Sequence, residues 1–182
     1  MIGWLIIACE ISFWIFVLLG LFFRYILKIK KIGGILLFCT PLIDLLLLVA
    51  TIWDLKNGAV ANFFHGLAAI YIGVTVVYGH SMIRWADERF AYKFAGGSEP
   101  IKNPKYGKEH AAFSRKGWLK HLLAWIIGSA LLLLMIYLVG DNSKTKSLLD
   151  IIIKWTFVLG IDFVWSYSYT IWPRRSKENI KS

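Results

Sequence analysis

Charge is scarce in this sequence, and acidic charge is scarcest. Only 18% of the 182 residues are charged, with 11 Asp and Glu against 21 Lys and Arg. Soluble domains carry about 25% charge, so an ordinary water-facing surface is excluded. A net charge of +10 would fit nucleic acid if the cations shared one folded face. They lie instead between apolar segments, where they set membrane orientation, and no nucleic-acid partner is expected. Cysteine is nearly absent. Cys9 and Cys39 both fall in apolar segments, at estimated depths about 9 Å apart at 1.5 Å per residue. A disulfide framework is therefore not expected, and both read as small buried hydrophobes. The chemical motifs are missing too: there is no His-Glu-x-x-His, no Cys-x-x-Cys and no phosphate-cradling glycine loop. Gly128-Ser129-Ala130 lacks the second glycine of a Gly-x-Ser-Gly nucleophile pattern, so Ser129 reads as a helix-packing residue. The sequence thus argues against an enzyme and calls for no metal or cofactor. Internal repeats and low-complexity tracts are absent.

What the chain has is apolar length. Hydrophobic residues make up 58%, and the mean hydropathy is +0.61. Lys56 and Arg84 bound a run with no Asp, Glu, Lys or Arg. A hydrocarbon core about 30 Å thick needs roughly 20 apolar residues at 1.5 Å each, so this run can span. Its Gly66, Ala69 and Gly73 recur at helical spacing and open a groove for close helix approach. Four further segments complete a single membrane domain over 1–182, with spans at about 2–27, 32–53, 59–80, 118–140 and 148–172. MIGW carries no basic stretch before its apolar run, which disfavours a cleaved signal peptide and keeps the first segment as a span. SMIRWADERFAYKF is read as running on from the third span. Met82, Ile83, Ala86, Phe90 and Phe94 form an apolar stripe there with charges opposite, the pattern of an interfacial helix at the headgroups. SEPIKNPKYGKEH reads as a loop, DNSKTKS as a polar turn, and residues 173–182 as a basic tail.

Basic residues fix the expected orientation. Four follow the first span (counting Arg24), nine lie between Arg84 and Lys120, and four are in the tail; Lys56, Lys144 and Lys146 lie on the other side. The expectation is an all-α, five-span bundle with one interfacial helix, N-terminus outside and C-terminus inside. Tryptophans agree, with Trp4 and Trp53 at the outer interface and Trp85, Trp118 and Trp172 at the inner one.

Three stretches, MIGWLIIACEISFW, HGLAAIYIGVTVVYGHSMIRWADERFAYKFAGG and GWLKHLLAWIIG, resemble a group of small integral membrane proteins of Bacillus-type bacteria, YmcC-like. The resemblance covers most of the chain and implies a bacterial cytoplasmic membrane location. It brings no activity, cofactor or site residue with it.

Ionisable groups inside the spans are the candidate site. A charged side chain at mid-bilayer costs about 2.5–3.5 kcal/mol on insertion scales, and such groups usually face the bundle interior and pair. Glu10, Asp44, His65 and Lys154 come from four spans and are expected in the outer half of the membrane, with Asp162 near the middle. Thr40, Asp44 and Thr51 share a face, and Pro41 leaves the Leu37 carbonyl without its helical donor. Asp150 and Lys154 are spaced for a local pair. Two readings stay open: these groups form a proton- or ion-handling polar site, or they pair only to fix helix register. A b-type haem protein is a weaker alternative, for which His80 and His121 are the candidate ligands. The third reading, a non-enzymatic accessory component, rests on the connection 84–117. Its cations and aromatics would meet anionic lipid at the cytoplasmic face or a membrane-protein partner, and a homodimer is possible on the chain's small size.

Overall fold

The computed structural model describes residues 2–94, 96, 98–100 and 103–174. Among them it contains five α-helices and no strand: α1 (Ile2–Tyr25), α2 (Lys30–Lys56), α3 (Phe63–Phe94), α4 (Gly107–Val139) and α5 (Asn142–Ile171). Three stretches are long and apolar enough to cross a membrane: Lys30–Lys56, Phe63–Trp85 and Gly107–Val139. Ile11–Tyr25 of α1 is a shorter apolar helix.

Small residues decide how the helices meet. α1 and α2 form a hairpin through a four-residue link in which Lys28 takes a positive φ of 58°. The two cross at glycines: a Cβ on Gly33 would lie 2.6 Å from the carbonyl oxygen of Gly20. α3 meets α4 in the same way, since a Cβ on Gly73 would lie 2.6 Å from the carbonyl oxygen of Ala124. The small-residue groove of α3 is thus filled by α4, with Ala69 fully buried. On the next turn Gly128 of α4 takes the ring of Trp155 from α5. With lipid as apolar as leucine, such close approach is what holds spanning helices together.

The largest buried cluster sits towards one end of the bundle. Leu47, Leu48 and Leu55 of α2 meet Ala68 and Ala69 of α3, Leu132 and Met135 of α4, and Leu148 and Ile151 of α5. The two turns at that end are joined by backbone, with the Ala61 N–H donating to the Lys144 carbonyl at 2.8 Å. At the opposite end the Gly107 N–H donates to the Arg174 carbonyl at 2.9 Å. Elsewhere the helices turn their large apolar side chains outward: Phe38, Tyr137, Phe157 and Val164 are each at least two-thirds exposed.

The helices outrun the apolar segments. α4 begins at Gly107 rather than near Trp118, because the helical ladder continues into polar sequence that hydropathy leaves out. Within DNSKTKS, Asn142 to Ser147 are helical rather than a turn. Asp141 caps α5, its side chain accepting from the Ser143 and Lys144 backbone N–H groups, as N-cap carboxylates do. The interfacial helix is not a separate element, since α3 runs unbroken through that stretch to Phe94.

Candidate functional site

The candidate residues fall into separate settings. Asp44 lies on the inward face of α2 and is 2% exposed; Thr40 and Thr51 share that face at 6% and 0%. Pro41 withholds a donor from the Leu37 carbonyl, and the Thr40 hydroxyl takes its place at 2.8 Å. Asp44 Oδ2 and Thr51 Oγ1 are buried without hydrogen-bond partners, as is Ser129 Oγ on α4. An orphaned carboxylate oxygen is costly to bury. Glu10 is at a matching level. It lies ten residues along α1 from Gly20, and Asp44 lies eleven along α2 from Gly33. The side chain of Glu10 is outside the described residues.

His65 does not join Asp44. It lies at the first turn of α3, where Asn62 precedes the helix. The His65 backbone N–H donates to Asn62 Oδ1 at 3.3 Å, and its Nδ1 lies 2.7 Å from the same oxygen. The Asn62 backbone N–H also approaches Nδ1 at 3.2 Å. This is the reciprocal arrangement of a capping box, with histidine in the place of glutamate. Nε2 faces Asp54 Oδ2 at 3.4 Å, so the ring closes the α2–α3 corner. Asp54 and Asn62 were not legible as its partners from apolar periodicity; the Asn-x-x-His spacing is a signal for Asn62, and Asp54 meets the ring only once α2 and α3 are docked.

Asp162 lies towards the other end, and its partner is His121. His121 Nδ1 is 2.6 Å from Asp162 Oδ2, and the Ser166 hydroxyl donates to Asp162 Oδ1 at 3.4 Å. The Tyr78 ring of α3 lies 5.6 Å from the imidazole, and Lys120 reaches Ser81 Oγ at 3.2 Å. Three helices are therefore bridged by polar contacts, in a half-exposed setting: the side chains of His121 and Asp162 are 53% and 29% exposed.

Among curated proteins, the "Uncharacterized membrane protein YmcC" of Bacillus subtilis (strain 168) is 48% identical over 184 residues, covering 100% of this chain and 98% of that protein. The chain belongs to the YmcC-like membrane proteins. No family model matches it, and no solved structure does.

The other candidates in this YmcC-like chain stand apart. Lys154 is exposed and lines a groove of about 290 Å³ with Asp150, Phe63 and Trp155 between α3 and α5. No ion pair joins Asp150 to Lys154 among the described residues, although their spacing allows one. His80 is exposed, while His121 turns Nδ1 to Asp162 on α5, so nothing pairs His80 with His121 as axial ligands. No cluster of three or more His, Cys, Asp or Glu suited to a metal occurs among the described residues. Outside the spans, Asp141 is held below the ordinary carboxyl value, chiefly by the Ser143 hydroxyl and also by the Lys144 and Ser143 backbone N–H groups and the Lys144 charge, against some desolvation.

Proposed function

We propose that this YmcC-like chain is a five-span, multi-pass protein of the bacterial cytoplasmic membrane, N-terminus outside and C-terminus inside, that serves as a non-enzymatic, partner-binding accessory component. The separation of its intramembrane ionisable groups carries this reading. His65 closes on Asp54 and Asn62 at one corner, and Asp162 closes on His121 towards the other end. Asp44 lies in the interior between them with neither. A carrier needs polar groups that hand a ligand on, and these are satisfied locally or isolated. The asymmetry of the cations supports the orientation, as do Trp53 and Trp172, which are 70% and 80% exposed and lie at the C-terminal ends of α2 and α5, helices that run in opposite directions. A photo-crosslinker at Tyr106, which is 45% exposed, tests the partner role in intact cells. A discrete protein adduct is expected, and recovery of lipid adducts alone would overturn it. Cysteine labelling at positions 30 and 105 tests orientation; opposite compartments would refute it.

A second reading, proton- or ion-coupled transport, is favoured by one observation: Asp44 Oδ2 is buried and unpartnered. Asp44→Asn in vesicles separates the two. Lost flux at unchanged protein level supports transport, and unchanged flux with altered protein level supports a structural carboxylate.

A further inference from the structure

A cavity of about 930 Å³ opens between the end of α3, residues 103–105, the start of α4 and Arg174 beyond α5, away from Asp44, His65 and Asp162. That volume falls within the range of small-ligand sites. We propose that this cavity binds the phosphate of an anionic phospholipid headgroup. The inference does not depend on whether the protein is an accessory component or a carrier.

Charge is the first support. Arg89, Lys105 and Arg174 come from three separate parts of the chain and line one space, and none has a carboxylate partner among the described residues. Of the lining carboxylates, Glu88 is taken by Arg84 at 3.0 Å, and Glu99 is also engaged. Arg89, Lys105 and Arg174 are therefore left for a ligand. Arg89 lies 4.4 Å over the Trp85 ring, which fixes its guanidinium beside the opening.

α4 contributes His110 and Phe113 to the cavity wall. His110 holds the wall in place. Its Nδ1 donates to the Pro104 carbonyl at 3.0 Å, and its ring meets Tyr169 at 4.7 Å, so Lys105 is carried on an anchored strand of backbone.

Position selects lipid over free phosphate. The apolar span of α3 ends at Trp85, which is itself a lining residue, so the cavity begins where acyl chains give way to headgroups. Trp85, Tyr92 and Phe113 at its rim are 57%, 52% and 45% exposed. Exposed aromatics beside cations suit the interface of a bilayer, and a soluble phosphate would need no such rim.

The test uses the full chain in detergent, titrated with phosphatidylglycerol or phosphatidylcholine and read by native mass spectrometry. One variant carries Arg89→Gln, Lys105→Gln and Arg174→Gln. A control removes three cations from the α1–α2 link by Lys28→Gln, Lys30→Gln and Lys31→Gln. We expect the wild type and the control to retain phosphatidylglycerol over phosphatidylcholine, and the cavity variant to lose that preference by at least tenfold. A conservative variant, Arg89→Lys with Lys105→Arg and Arg174→Lys, should restore it, which excludes misfolding as the cause. Equal losses in both triple variants would overturn the site in favour of diffuse attraction. Binding of inorganic phosphate in the cavity without lipid preference would overturn the lipid source.

Discussion

The two ends of the bundle solve opposite problems. At the α2–α3 and α4–α5 turns the connections are short, the two corners share a backbone hydrogen bond, and the cluster around Leu55, Leu132 and Leu148 excludes solvent. At the other end the α3–α4 connection is long, α4 begins well before its apolar part, and a cationic cavity stays open. The closed end spends its polar groups on itself, as His65 does with Asp54 and Asn62. The open end keeps Arg89, Lys105 and Arg174 without carboxylate partners among the described residues. Stability should therefore reside mainly at the first and recognition at the second.

Substitutions can break that contrast. The largest effects are expected in the closed core and where the helices touch through glycine. Gly73→Leu must displace the Ala124 carbonyl, and overpacking of this kind costs about 1–3 kcal/mol or more, so the protein should show a marked fall in Tm in detergent. Leu132→Ala in the closed core should cost about 2–4 kcal/mol. Leu119→Ala, which is 52% exposed towards the open end, should change stability by less than about 0.5 kcal/mol. Similar losses at Leu132 and Leu119 would remove the asymmetry. Asp162→Asn should lower stability by about 0.6 kcal/mol, the usual size of a polar contact between spanning helices, and should alter the His121 imidazole signals in NMR.

The smallest effect concerns pH. Asp141 is held below its ordinary value of 3.8, first by the Ser143 hydroxyl. A lowered folded-state value means that its charge stabilises the fold above pH 3.8, and that the benefit disappears as pH falls through the lower folded value. Asp141→Asn keeps a capping oxygen but not the charge. The wild type should therefore exceed it slightly in stability at neutral pH, and the two should converge in acid. A gap that persisted at low pH would assign the effect to geometry.

Apolar length and small-residue spacing made the all-helical architecture and the α3 groove legible, because both follow from what a lipid solvent demands. Helix ends were less so. Hydropathy stops at the first charges, whereas backbone hydrogen bonds continue through polar sequence, as at Gly107–Gly117 and Asn142–Ser147. Among the site residues, burial of Asp44 followed from its place on an apolar helix. The pairing of His121 with Asp162 did not, because two residues 41 apart meet only once α4 and α5 are docked. The same holds for the convergence of the cavity cations, which are distant in sequence and read there as topology signals and a diffuse attraction to anionic lipid.

One consequence follows from the unbroken course of α3. At 1.5 Å per residue its 32 residues reach about 48 Å, well beyond a hydrocarbon layer of about 30 Å. Tyr92 beside the cavity and Gly73 at the interior crossing thus lie on one continuous helix, and a spin label at Tyr92 tests whether substitutions at Gly73 are felt there.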